Sequence, residues 1–196
     1  MAQPEKPLRA DAARNRARVL EVAYDTFAAE GLSVPIDEIA RRAGVGAGTV
    51  YRHFPTKEDL YRAVVEDRLE HIVESGRALL TTKGAGEALF SFLRSMVLDW
   101  GATDQGLVDA LAGAGVDIKS AAPDAEEAFL GLIGDLLRAA QTAGTVRRDL
   151  DVPDVKALTV GAQAMQGYNR DAAERLTEVF LDGLRAKESG GVATAL

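Results

Sequence analysis

Apolar positions recur at helical spacing along most of the chain. From Asp11 to Glu30 they fall at Ala13, Ala17, Leu20, Tyr24 and Phe27, steps of three and four that mark one helix face. Gly31 follows as a residue suited to close that helix. Pro35 fits the first turn of a second helix, with Asp37 and Glu38 where the helix dipole favours anions. Ile36, Ile39, Ala40 and Ala43 share a face, and Gly44 ends the element. A third short helix is predicted over Ala47–His53, with Val50 and Phe54 inward and Pro55 as its stop. Thr56 reads as the N-cap of a fourth helix that runs to about Ser75 on Leu60, Val64, Val65, Leu69 and Ile72. Further helices are predicted near 84–100, 105–112, 124–143, 153–167 and 171–187, with Asp151 capping the helix that holds Pro153 in its first turn. Residues 113–123 read as loop, 1–8 as disordered and 188–196 as a flexible tail. No window alternates apolar and polar positions, so the predicted fold class is all-α.

One stretch carries chemistry. Residues 43–54 read AGVGAGTVYRHF, three glycines within five residues followed by aromatic, basic and hydrogen-bonding side chains. A nucleotide-phosphate loop is one reading. It needs Gly-Lys-Ser/Thr after the glycines and a strand before them, and neither is present. The other reading is a turn between two short helices, the helix-turn-helix unit. Ala40 is small enough for a close helix crossing, Gly44 can reverse the chain at positive φ, and Val45 and Val50 seal the angle. The second helix of such a unit lies in the DNA major groove with its N-terminal residues toward base edges.

Tyr24, Phe27, Glu30-Gly31, Ile39-Ala40, Gly44-Val45, Thr49, Tyr51, His53-Phe54, Lys57 and Leu60 resemble the N-terminal domain of TetR-type transcriptional regulators, over about residues 10–62. The remainder is similar only in length, helical character and position. The resemblance implies that residues 1–56 form a three-helix DNA-binding domain and that residues 57–187 form a helical effector-binding and dimerisation domain. It implies double-stranded operator DNA as partner, a homodimer, and a small apolar or amphipathic effector that releases a repressor. It places Thr49, Tyr51, His53 and Lys57 where family members meet operator phosphates or bases. Arg52 adds a side chain able to grip guanine, and Arg14 one able to hold flanking backbone. Ala47 and Gly48 stand at base-facing positions where other members often carry polar groups, so readout leans on methyl contact, Arg52 and DNA shape.

Charge complicates this picture before it supports it. The formal net charge of −7 argues against a nucleic-acid partner when taken alone. Residues 1–56 nevertheless hold eight Lys/Arg against seven Asp/Glu, which leaves 15 basic and 23 acidic residues in 57–196. The acidity belongs to the second part. With no cysteine and two histidines, His53 and His71, thiolate chemistry and an all-histidine zinc site are excluded; no cofactor or metal is expected. No run is long and apolar enough for a membrane span or a signal core, which gives a cytoplasmic expectation without membrane contact.

In the second part, Phe92, Met96, Trp100, Phe129, Met165 and Tyr168 are candidates for an effector pocket, against the plain alternative that they are core. Val155, Leu158, Ala162, Leu176, Val179, Phe180 and Leu184, on the last two helices, are candidates for a four-helix dimer interface. No nucleophile, base or metal constellation supports an enzyme. The remaining alternative is a helical adaptor that uses its hairpin for protein contacts, which would bind without regard to DNA or salt.

Overall fold

A computed structural model describes residues 5–186. They fold into helices α1 (Glu5–Glu30), α2 (Ile36–Ala43), α3 (Ala47–His53), α4 (Lys57–Thr82), α5 (Ala88–Ser95), α6 (Gly101–Gly113), α7 (Ile118–Ala121), α8 (Pro123–Thr142), α9 (Val152–Tyr168) and α10 (Ala173–Leu184). Among the described residues the sole strand-like pairing is an isolated antiparallel bridge between Val146 and Arg185. The all-α expectation holds. The tail expected at 188–196, and residues 1–4 of the disorder expected at 1–8, lie outside the described residues.

Boundaries written in local chemistry fall where the sequence puts them. Thr56 and Asp59 bond reciprocally at the start of α4: the Asp59 amide donates to the Thr56 hydroxyl oxygen and the Thr56 amide to the Asp59 carboxylate, both at 3.1 Å. Asp151 and Asp154 form the same box at α9, with Pro153 inside the first turn.

Elsewhere the structure departs from the pattern. α1 begins at Glu5 instead of near Asp11, and residues 11–18 are all exposed. Ala13 and Ala17 therefore line no core, and the buried stripe starts at Val19 and Leu20. Alanine supports a helix whether or not anything covers it, so its spacing does not report burial. α4 continues past Ser75 to Thr82. Gly76 does not break it, because the position is a close approach: an added Cβ would lie 2.4 Å from Leu132 Cδ2. α5 does not stop before α6 but runs into it through a π-helical turn, Met96–Trp100. Wider turns loosen the regular carbonyl ladder, and here Gln163 of α9 donates to the Met96 carbonyl at 2.8 Å. In the predicted loop 113–123, the Asp117 carboxylate accepts from the Ser120 amide and starts the short α7. The last predicted helix divides into a 3-10 turn, Arg170–Ala172, and α10.

The chain forms two compact units. The first holds residues up to Ile72 together with Thr103–Phe129. Its core takes Leu20, Ala23 and Phe27 from α1, Ile36, Ile39 and Ala43 from α2, and Val50 from α3. Leu60 and Val64 of α4 and Leu107 and Leu111 of α6 complete it. α6 crosses α1 so closely that a Cβ on Gly106 would sit 2.3 Å from the Ala28 carbonyl oxygen. Beside that crossing, Asp104 accepts from Arg68 Nε at 2.8 and 3.0 Å and from the Tyr24 hydroxyl. Burial and this carboxylate push the Tyr24 phenol well above its ordinary pKa.

The second unit holds Val73–Ala102 and the chain from Leu130 onward. Phe92, Leu93, Val97, Ile133, Leu136, Val155, Leu181 and Leu184 are buried in it. Thr159 and Thr177, also buried, each donate to the carbonyl four residues earlier, so neither hydroxyl is left unsatisfied. Arg94 of α5 pairs with Glu178 of α10, and Arg185 stacks 4.3 Å above the Phe90 ring.

Candidate nucleic-acid interface

α2 and α3 are joined by Gly44-Val45-Gly46. Gly44 sits at φ 67°, ψ 30°, the left-handed region, where a side chain costs roughly 1–2 kcal/mol. Its amide reaches the Arg41 carbonyl at 3.2 Å, and the Val45 amide reaches the Ala40 carbonyl at 3.0 Å. These two bonds are the Schellman closure, which satisfies the last carbonyls of α2 while turning the chain. Val45 then packs, half-buried, against the core that holds Val50, and this fixes the departure of α3.

A salt-bridge bracket holds α2 to α1. Arg42 donates to Glu30 at the end of α1 and, through Nε, to Glu38 at 2.8 Å; Arg41 donates to both oxygens of Glu38 at 2.7 Å. Hydrogen bonds from Arg41 and Arg42 pull the Glu38 carboxyl from 4.5 down to about 2, and Arg42 likewise lowers Glu30.

With α3 so placed, its polar side chains lie outward. Tyr51 is 44% exposed, and Arg52 and His53 are exposed beside it. Thr49 is half-buried. Lys57 starts α4 one short loop away, half-buried, behind the Thr56 cap. Gly48 is exposed and a Cβ there would meet nothing within 4 Å; Ala47 is half-buried and packs against the core. Thus Thr49, Tyr51, Arg52, His53 and Lys57 come together on or beside one short helix, while Ala47 contributes mainly inward. Arg52 Nε folds back onto the Gly48 carbonyl at 3.1 Å. The nearby Asp37 charge, with a hydrogen bond to its carboxylate, raises the Tyr51 phenol above its ordinary pKa.

Arg14 pairs with Asp11, one turn before it on α1, and both are exposed. The arginine that α1 brings to α3 is Arg16. Its guanidinium lies 5.7 Å from the centre of the Phe54 ring, at the C-terminal end of α3. Spacing alone groups Arg9, Arg14, Arg16 and Arg18 as one cluster. The signal that separates them is the helical turn per residue measured from the buried stripe at Val19 and Leu20.

The pocket candidates scatter. Phe92 and Trp100 meet edge to face at 5.9 Å, with half-buried Met96 in the same π turn as Trp100. Phe129 belongs to the first unit. Met165 is 38% exposed and Tyr168 93%, so in the single chain Tyr168 encloses nothing. Of the interface candidates, Val155, Ala162 and Leu184 are buried in their own unit and have no surface to offer a partner. Leu158 and Val179 are exposed, with Leu176 and Phe180 half-buried. Among the described residues no group of three or more His, Asp or Glu could hold a metal ion, and no helix is long and apolar enough to cross a membrane.

Two family models match the chain. The bacterial regulatory protein, tetR family model covers residues 19–64, and the model of the C-terminal domain of SbtR-like transcriptional regulators covers 84–186. A TetR transcription regulatory protein from Mycobacterium vanbaalenii, known as a crystal structure, is 63% identical; the match covers 92% of this chain and 100% of that one, with a TM-score of 0.76. An HTH-type transcriptional regulator from Staphylococcus aureus is 41% identical over 64 residues, 32% of this chain and 35% of its own length. The chain thus spans about a third of that curated relative. A candidate transcriptional regulator from Saccharomonospora viridis, in complex with choline, shares the fold at 21% identity, with 90% and 100% coverage and a TM-score of 0.72.

Proposed function

Because the chain belongs to the TetR family of transcriptional regulators, we propose that it is a sequence-specific DNA-binding regulator, a cytoplasmic homodimeric repressor released from its operator by a small molecule. The observation that carries the reading is the α2–turn–α3 unit: a Schellman-closed turn at Gly44 presents Tyr51, Arg52 and His53 on one exposed helix with Lys57 beside it. Hydroxyl, imidazole and ammonium groups in that arrangement suit phosphate oxygens, and a guanidinium suits guanine. The reading requires no catalytic group.

The dimer reading rests on α9 and α10. Leu158, Met165 and Val179 are exposed apolar residues on these helices, and Val160 adds 56% exposure. Leu176 and Phe180 lie partly open on α10. Covering such a face by a second copy removes apolar surface from water. Two α3 helices would then meet successive major grooves, about 34–36 Å apart if one helical turn separates the half-sites. The effector reading draws on the choline-bound relative of the same fold. On this chain its candidates reduce to Phe92, Met96 and Trp100. Effector affinity that differs between two states would shift the population away from the DNA-competent one.

Fluorescence anisotropy with DNA from upstream of the protein's own gene, at two salt concentrations, tests the function. Tight binding that weakens steeply with salt, and is lost in Thr49→Ala/Tyr51→Ala/Lys57→Ala, supports a regulator with this reading head. Equal binding by the triple variant rejects the site. Binding to protein partners but to no DNA favours the adaptor.

A further inference from the structure

We propose that Arg16 is a DNA-contacting residue, carrying the interface from the end of α3 onto α1, and that Arg14 is not one. The inference rests on the DNA-binding reading above and adds a residue to its site. α1 projects residues 11–18 into solvent, ahead of the buried stripe at Val19 and Leu20. Within that projection Arg16 lies over Phe54, a ring only 3% exposed that closes α3. The His53 ring centre is 6.1 Å from that of Phe54, and Lys57 opens α4 three residues later. Arg16 thus stands at the end of α3 that bears His53 and leads into Lys57.

The state of the guanidinium points the same way. A guanidinium held over an aromatic ring by cation–π attraction still has N–H groups to offer to acceptors. Among the described residues no carboxylate pairs with Arg16. By contrast Arg14 is paired with Asp11, Arg41 and Arg42 with Glu38, and Arg52 is bonded to Gly48. Residues two apart on a helix are about 200° apart around its axis, so Arg14 and Arg18 lie across α1 from Arg16. A guanidinium outside any ion pair among the described residues, over the ring that neighbours His53, suits a phosphodiester oxygen.

Phosphate contacts do not depend on sequence, so a labelled mixed-sequence duplex of about 40 base pairs serves as the probe. Binding of the full chain is measured from roughly 50 to 200 mM monovalent salt for wild type, Arg16→Gln, Arg16→Lys and Arg14→Gln, with thermal melts of each. Each lost phosphate contact lowers the slope of log K against log salt by about 0.9, or about 1.8 for a dimer. Arg16→Gln should therefore close its gap to wild type about 12-fold between those salt limits. Arg16→Lys, which keeps the charge, and Arg14→Gln should keep the wild-type slope. A wild-type slope in Arg16→Gln, or a lowered slope in Arg14→Gln alone, overturns the proposal and leaves the DNA-binding reading standing. Failure of the wild type to bind any duplex overturns both.

Discussion

Three glycines inside helices provide a graded test of the packing. Gly131 of α8 has nothing within 4 Å of an added Cβ. Gly76 of α4 would place that atom 2.4 Å from Leu132 Cδ2 and 2.9 Å from Phe92 Cε2. Gly106 of α6 would place it 2.3 Å from the Ala28 carbonyl oxygen, and 3.0 and 3.2 Å from the Ala28 C and Cα atoms. The overlaps at Gly76 and Gly106 are nearly equal, but the neighbours differ. The Leu132 methyl and Phe92 ring edge can swing aside. The Ala28 carbonyl is part of a helix ladder, so relief requires α6 to retreat from α1 by about 1 Å, which weakens every contact at the crossing. That retreat lifts Leu107 and Leu111 and lengthens the Arg68–Asp104 bonds, now 2.8 and 3.0 Å.

The magnitudes follow. Glycine to alanine in a helix interior gains about 1 kcal/mol when nothing intervenes. Overpacking costs about 1–3 kcal/mol, with the upper end for a neighbour that cannot move. Gly131→Ala should therefore stabilise by about 1 kcal/mol, Gly76→Ala should fall near zero, and Gly106→Ala should destabilise by about 2 kcal/mol. With an m-value of about 2 kcal/mol/M, the urea midpoints rise by about 0.5 M, stay, and fall by about 1 M, at unchanged slope. The assay is urea unfolding at one fixed protein concentration, followed by far-ultraviolet circular dichroism. A Gly106→Ala midpoint at or above that of Gly76→Ala refutes the distinction between a backbone and a side-chain neighbour.

The turn and the recognition helix give a contrasting pair. Gly44→Ala forces a side chain into φ 67° and should lower stability by about 1 kcal/mol or more, read by the same unfolding assay. Gly48→Ala faces open space and should raise the melting temperature while weakening duplex binding, both read on one preparation. The Glu38 bracket predicts an acid-sensitive reading head. A carboxyl whose folded pKa of about 2 lies below its ordinary 4.5 contributes stability that is complete above about pH 4.5 and lost as the pH falls toward 2. The urea midpoint of wild type should therefore fall more between pH 5 and pH 3 than that of an Arg41→Ala/Arg42→Ala variant.

What was legible in the sequence is what local chemistry determines. Gly44, Thr56 and Asp151 each close or open a helix through bonds to residues within five positions, and Pro153 suits a first turn by its fixed φ, so a single reading of the chain places them. α1 and the α5–α6 run escaped for opposite reasons: the first half of α1 has no partner to mark it, and the α5–α6 run depends on a partner far away. Alanines at 13 and 17 keep the spacing of a buried face with nothing against them, and a glutamine at 163 props a turn at 96. The same gap explains the interface candidates. Val155, Leu158 and Ala162 share helical spacing, yet two are buried and one is 44% exposed. Periodicity identifies an apolar face and is silent on whether the chain itself or a second copy covers it. For the DNA side, the row from Thr49 to His53 was readable because α3 is short and one side of it is fixed by Val50.

Net charge was the most misleading number in the sequence, and pairing explains why. The near-even count of acids and bases in residues 1–56 suggests a surface with little attraction for phosphate. In the fold, many of those carboxylates are already engaged: Asp11 by Arg14, Glu30 by Arg42, and Glu38 by Arg41 and Arg42. Asp37 is met by the Tyr51 hydroxyl, and Asp59, just beyond, is spent on the α4 cap. The Arg–carboxylate pairs are close to neutral at a distance, whereas the Tyr51 hydroxyl leaves Asp37 its charge; at ordinary salt the residual field fades within about 8–10 Å. A phosphate approaching α3 then meets the groups these pairs leave over: Arg16 over Phe54, the exposed His53, and Lys57 at the start of α4. A regulator can thus be acidic as a whole and still favour DNA at one helix, provided most of its acids near that helix are matched within the fold.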